Sequence, residues 1–248
     1  MMRQEYDRYT SEDHLVWSLL YKEQMEQLPA VATQAYLHGI QKVRFEAESV
    51  PRFEIVSEEL GKCTGWSVYV VPGLIDNKPF FQHLANKEFP ATTWLRTMEQ
   101  LKYIEEPDMF HDVFGHVPLL SEPFFAEYLA GLSAIALDHI ENPTGVELMA
   151  RIYWYTVEFG LIKENGRVKI YGAGILSSPG ESRYCVGPEA VHVPFDVETI
   201  METPYIKDRF QSQYFVIDSY EQLFQSLPKI REVVRHFVEE DIYVAPSP

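Results

Sequence analysis

The sequence predicts a mainly helical fold with a few short β-strands. Apolar residues recur at helical spacing through long stretches such as "EPFFAEYLAGLSAIALDHI" and "GVELMARIYWYTVEFGLI". Runs rich in β-formers, such as "WSVYVV" at 66–71, are short and end on Pro72-Gly73. No strand–helix–strand alternation repeats along the chain, which argues against a doubly wound sheet.

In order, Thr10 and Ser11, with acidic residues behind them, start a helix in "HLVWSLLYKEQMEQL". Leu15, Leu19 and Leu20 share its apolar spacing and Pro29 interrupts it. "AVATQAYLHG" reads as a second helix closed by Gly39. After the strand in "WSVYVV", Asp76 or Asn77 caps a helix in "NKPFFQHLAN". The two long helical stretches follow. Asn165-Gly166 then marks a hairpin edge or short strand before "RVKIYGAGILSS". "SYEQLFQSL" and "IREVVRHFVEE" close the chain as amphipathic helices.

The 248 residues suit one domain: prolines and glycines are spread evenly, and no linker, repeat or low-complexity tract appears. Lys+Arg 21 against Asp+Glu 37 gives a net charge of −16. Such a field repels phosphate backbones and anionic membranes, so no nucleic-acid or membrane partner is expected. The acidic N-terminus has no apolar core for a signal peptide, and no apolar run approaches a membrane span. Two cysteines without a CxxC pair, Cys63 and Cys185, fit a reducing cytoplasm; neither is given a role.

The chemistry-bearing residues cluster in "PDMFHDVFGHVPLL" at 107–120, where His111 and His116 stand five apart. On an α-helix that spacing turns the rings about 140° away from each other. Gly115 and Pro118 break the helix here, which lets both rings reach one object. Glu158 is the only acid in "RIYWYTVEFGLI", among Trp154, Tyr155, Leu161 and Ile162 on a helical reading. A buried carboxylate needs a cation or donors. The partner is either a base, Arg151 or Lys163, or a metal. Two imidazoles and one carboxylate make the donor set of mononuclear non-haem iron sites. The other six histidines carry no such signal.

"EPDMFHDVFGHVPLL", "IYWYTVEFGLI" and "YGAGILSS", with "VPGLIDNKPFFQHLANKEFP" upstream, together resemble the aromatic amino acid hydroxylases, most nearly the bacterial phenylalanine-hydroxylating type. The likeness runs from about Val56 to Phe224. It implies a pterin-dependent monooxygenase fold with Fe(II) held by His111, His116 and Glu158. O2 and tetrahydrobiopterin, or a related reduced pterin, would convert L-phenylalanine to L-tyrosine. Carried over by matched position, Arg96 would take the substrate carboxylate, with Asp108 bracing it and Ser177 lying between His111 and the substrate's polar end. Tyr103, Pro107, Trp154 and Phe159 would line the ring pocket. Gly73, Leu74 and Ile75, Phe80, Asp112 and Tyr153 would meet the pterin.

Animal members have Glu where Asp112 stands and Thr where Ile104 stands, so a hydrogen bond from position 104 to substrate is not available here. The resemblance implies a single catalytic domain over 1–248: an N-terminal helical segment 1–50, a core 51–228, and a closing helix and tail 229–248. No regulatory or tetramerisation domain is expected, hence a monomer. "YGAGILSS" is not a dinucleotide fingerprint, because Ser177 stands where the third glycine belongs. Tryptophan or tyrosine hydroxylation, a zinc hydrolase using the same three donors, and a non-enzymatic acidic interaction protein are the alternatives.

Overall fold

Thr10 and Asp13 exchange hydrogen bonds in a capping box that starts α1 (Ser11–Met25). The computed structural model describes residues 2–102 and 104–248. The buried face of α1 is Val16, Trp17, Leu20 and Gln24, while Leu15 and Leu19 are exposed. Of the expected stripe only Leu20 turns inward. Trp17, the largest apolar group, decides which face turns inward.

After α1 come α2 (Leu28–Val31), α3 (Gln34–Lys42), α4 (Phe53–Cys63) and α5 (Asn77–Ala85). Gly39 does not close its helix; α3 runs on to Lys42. A Cβ at Gly39 would lie 2.1 Å from the Pro118 carbonyl oxygen, so the glycine serves close packing of α3 on the segment that follows His116. The second half holds α6 (Pro123–Asp138), α7 (Pro143–Tyr153), α8 (Ala173–Leu176), α9 (Pro179–Tyr184), α10 (Val197–Glu202), α11 (Tyr220–Gln225) and α12 (Leu227–Glu239).

Two small sheets sit among the helices. In one, β1 (Ser67–Val70) and β2 (Glu88–Ala91) run parallel across α5, a single strand–helix–strand unit that the sequence rhythm does not reveal. The other has the order β4-β3-β6-β5, from β3 (Leu161–Glu164), β4 (Arg167–Ile170), β5 (Val191–Pro194) and β6 (Gln213–Ile217). β3 and β4 form the expected hairpin, with Asn165 and Gly166 both at positive φ, 53° and 74°. One continuous hydrophobic core joins the helices and both sheets. Among the described residues no helix is long and apolar enough to cross a membrane.

Candidate active site

His111 and His116 lie on one π-helical turn, Phe110–His116. In that geometry residue i+5 sits over residue i, which resolves the awkward spacing. Their Nε2 atoms approach to 3.3 Å. Glu158 ends a second π-helical turn, Trp154–Glu158, where the Phe159 N–H donates to the Trp154 carbonyl at 2.8 Å. Its Oε1 is 3.2 Å from His116 Nε2 and its Oε2 is 3.7 Å from His111 Nε2. The sequence reading of one helix through Ile162 therefore needs correction: α7 ends at Tyr153, and Leu161 and Ile162 belong to β3.

Local chemistry explains both turns. The Phe114 carbonyl would meet residue 118 in an α-helix, and Pro118 has no N–H. The Tyr36 hydroxyl, buried, donates to that carbonyl at 2.7 Å instead. Phe110 and Phe114 stack at 4.6 Å and press against Trp17 of α1, so the face carrying them is anchored. In the second turn the Thr156 hydroxyl donates to the Ile152 carbonyl at 2.6 Å, competing with the α-helical ladder.

The segment Gly172–Ala173–Gly174 receives both turns. A Cβ at Gly172 would stand 2.4 Å from the Glu158 carbonyl oxygen, and one at Gly174 would stand 3.2 Å from Glu158 Oε2. A Cβ at Gly115 would meet the Ala173 carbonyl at 2.9 Å. The glycines of "YGAGILSS" thus permit backbone to close on the three-donor cluster.

The donor set fits a divalent metal. Among the described residues His111, His116 and Glu158 are the one such group, with ligand atoms all within 4.8 Å of one another. Neither base that offered an alternative reaches Glu158: Arg151 pairs with Glu147 at 2.8 Å, and Lys163 with Asp218 at 3.0 Å. Ser177 Oγ donates to the Ala173 carbonyl at 2.9 Å, so it accepts from His111 Nδ1 at 3.0 Å. That leaves the lone pair of His111 on Nε2, aimed at the cluster, the tautomer a metal requires. Burial pushes the His111 pKa down to about 4, against the pull of Glu158, so the ring is neutral near pH 7. Burial works against the Glu158 carboxylate, but His116 and then His111 outweigh it and hold its pKa below the ordinary value.

Beside this cluster, Arg96 Nε and Nη2 each donate to Asp108 at 2.8 Å. Asp108 also accepts from the His111 backbone N–H at 3.2 Å, tying the Arg96 side chain to the start of the π-helical turn. Burial opposes ionisation of Asp108, but the Arg96 guanidinium more than compensates and lowers its pKa. Trp154 stacks on Phe159 at 4.7 Å, and Pro107 leads into the π-helical turn that carries His111. Tyr103 lies outside the described residues.

On the other flank Phe80 meets Tyr153 edge-to-face at 5.8 Å. Gly73, Leu74 and Ile75 form the loop between β1 and α5, with Leu74 exposed. Asp112 accepts from Thr92 N–H at 2.9 Å; loss of water pushes its pKa up to about 7. Burial and then the Glu158 and Asp112 charges raise the Tyr153 phenol. The sequence reading missed Phe89, whose ring lies 4.8 Å from that of His116, and Tyr205, which stacks on the free face of Trp154 at 4.6 Å. Both sit in segments without helical periodicity, so pattern gave no signal for them.

Three donors able to hold one metal ion, beside a buried arginine braced by Asp108 and a set of stacked aromatic rings, are the arrangement of a mononuclear metal enzyme. Residues 5–242 match the family model for biopterin-dependent aromatic amino acid hydroxylases, and the chain belongs to that family. It is 48% identical over 226 residues to the phenylalanine-4-hydroxylase of Chromobacterium violaceum, spanning 89% of this chain and 74% of that one. The Ralstonia nicotianae phenylalanine-4-hydroxylase is 46% identical over 231 residues, 91% of this chain and 72% of the other. A crystal structure of the C. violaceum enzyme with bound oxidized Fe(III) superposes with a TM-score of 0.91 at 43% identity, covering 99% of this chain and 91% of that one.

Proposed function

We propose that this chain hydroxylates L-phenylalanine to L-tyrosine with O2 and a reduced pterin such as tetrahydrobiopterin, using Fe(II) held by His111, His116 and Glu158. The observation that carries this reading is the convergence of two imidazole Nε2 atoms and one carboxylate within 4.8 Å, with the His111 tautomer set by Ser177. Iron and pterin, when bound, supply the activation of O2 that places an oxygen atom on the ring.

The protein's own residues bind and orient. Asp108 occupies the Nε/Nη2 edge of Arg96, and no side-chain hydrogen bond engages Nη1 among the described residues. The outward Nη1/Nη2 edge is therefore the one offered to the substrate carboxylate. Pro107, Trp154, Phe159 and Tyr103 take the ring, and Ser177 orders the polar end of the site. Phe80, Tyr153, the backbone of residues 73–75 and Asp112 would hold the pterin, with Phe80 offering its ring for stacking and Asp112 a polar group. Apolar walls keep water from the reacting ring.

Residues 51–228 form the working core. The segment 1–50 braces it through Trp17 against Phe110 and Phe114, and 229–248 closes the other side. The chain acts as a monomer, since a charge of −16 sets copies against one another. A cytoplasmic setting suits its two unpaired cysteines. The test is aerobic incubation with Fe(II), a reduced pterin and each aromatic amino acid in turn, followed by product identification. Tyrosine from phenylalanine is expected. Hydroxylation of tryptophan or tyrosine alone would reassign the substrate, and no product from any of the three would reject the reading.

A further inference from the structure

The ring of Trp154 is held on three sides. Phe159 stacks on one face at 4.7 Å and 29°, and Tyr205 on the other at 4.6 Å and 22°. At its edge the indole Nε1–H donates to Gln211 Oε1 at 3.1 Å. Stacking alone lets a ring slide and spin in its plane; the edge hydrogen bond removes that freedom.

Gln211 is itself fixed. It is 2% exposed, far below what a surface glutamine shows. Its Nε2 donates to the Ile206 carbonyl at 2.6 Å, which settles the amide orientation and leaves Oε1 to face the indole. Its backbone N–H donates to Glu181 Oε1 at 3.3 Å. Glu181 is 5% exposed and pairs with no base among the described residues. Its only other side-chain donor there is the Tyr214 hydroxyl. A buried carboxylate without a cation is costly, and here the Glu181 lone pairs accept from the Gln211 backbone N–H and the Tyr214 hydroxyl. The Tyr155 hydroxyl donates to the Pro204 carbonyl at 2.9 Å and pins the start of the segment that carries Tyr205.

We infer that Gln211, backed by Glu181, is a positioning residue that locks the Trp154 indole and so sets the depth of the aromatic ring pocket. This rests on the proposal that Trp154 lines that pocket. A locked wall admits the phenylalanine ring in one pose and resists the larger tryptophan ring. A free indole would widen the poses available to both.

The test is steady-state kinetics of the iron-loaded enzyme with tetrahydrobiopterin for wild type, Gln211→Met, Trp154→Phe and the double variant. Gln211→Met keeps the volume and loses the acceptor. It should raise the KM for phenylalanine about threefold to tenfold, the range of one buried hydrogen bond, with kcat and the pterin KM little changed. The preference for phenylalanine over tryptophan should narrow by a similar factor. In the Trp154→Phe background, which has no indole N–H, adding Gln211→Met should change KM by less than about twofold.

An unchanged phenylalanine KM in Gln211→Met beside a raised one in Trp154→Phe would overturn the inference. So would an equal effect of Gln211→Met in both backgrounds, or a fall in kcat alone. A wild-type KM in Trp154→Phe would instead remove Trp154 from the pocket, so the underlying reading would fail first. Should Gln211→Met not fold, Gln211→Asn keeps the amide but draws it back from the indole. It should show the same rise in KM, and wild-type kinetics there would equally overturn the inference.

Discussion

His111 and His116 bring their Nε2 atoms to 3.3 Å although they stand five residues apart, because the turn between them is π-helical. The turn persists because Pro118 cannot donate to the Phe114 carbonyl and Tyr36 does so instead. A function-bearing irregularity in the helix is thus held by a hydroxyl from another helix. Tyr36→Phe should leave this buried carbonyl without a partner and cost about 1–3 kcal/mol of stability. Iron affinity should fall as well, read by metal titration against a chelator. Unaltered iron affinity with lowered stability would mean that Pro118 alone sets the turn.

Replacing His116 or Glu158 by Ala removes one of three donors. Bound iron should drop well below one per chain and hydroxylation should vanish, while far-ultraviolet circular dichroism stays that of a helical protein. Stoichiometric iron in His116→Ala, measured by elemental analysis, would dismiss the three-donor assignment.

The glycines separate two effects. At Gly172 an added Cβ would stand 2.4 Å from backbone, the Glu158 carbonyl, so something must shift. Gly172→Ala should cost about 1–3 kcal/mol, the usual range for overpacking, seen as a lowered Tm. At Gly174 the added Cβ meets Phe159 Cζ at 3.0 Å and both the Glu158 carbonyl oxygen and Oε2 at 3.2 Å, looser than the 2.4 Å at Gly172 and in part against side-chain atoms that can give slightly. Gly174→Ala should therefore affect iron loading more than Tm. The reverse ranking of the two variants would contradict this reading.

Much of this arrangement was legible in the sequence, and the illegible parts share a cause. The helices in "EPFFAEYLAGLSAIALDHI" and "IREVVRHFVEE" and the Asn165-Gly166 hairpin announce themselves by local periodicity and turn chemistry. The three donors stood out by residue type and setting, whereas the Arg96–Asp108 pair came only from the family resemblance of the blocks that hold them. The end of α7 at Tyr153 did not stand out, because aromatic and branched residues continue past it without a break in pattern. β2, β5 and β6 take their strand form from pairing with distant partners, and β2 even contains Pro90. Gly39 was misread because a glycine near a helix end looks the same whether it caps or makes room.

Asp112 offers a pH test. Its pKa is pushed up to about 7 by loss of water, against the hydrogen bond from Thr92. An unfolded aspartate titrates near 3.9. Between those values the folded protein holds a proton that the unfolded chain has released, so stability falls as pH rises through the window. Above about 7 both states are ionised and the cost is fully felt. Asp112→Asn has no such proton, so its Tm relative to wild type should climb from pH 5 to pH 8. Parallel Tm curves over that range would place the Asp112 pKa near its ordinary value.

Arg96 is where charge and geometry make the sharpest demand. At −16 the protein's field opposes a substrate carboxylate, so one local cation must overcome it. Asp108 neutralises part of that charge and fixes it, through two contacts of 2.8 Å that use the Nε/Nη2 edge. The planar fork can serve Asp108 on one edge and the substrate on the other; a lysine ammonium is a single point and cannot. Arg96→Lys should therefore raise the KM for phenylalanine even though charge is kept. Arg96→Ala should do worse, by roughly tenfold to 150-fold, the range for a charge-assisted hydrogen bond. Asp108→Asn keeps the shape but releases the fork, and the His111 N–H loses a charged acceptor with it. That variant should raise the KM for phenylalanine and weaken iron binding together. In all three, poorly held substrate should let pterin oxidation outrun tyrosine formation. The measurement is phenylalanine KM with the ratio of tyrosine formed to pterin consumed. Wild-type values of both in Arg96→Ala would take Arg96 out of the site.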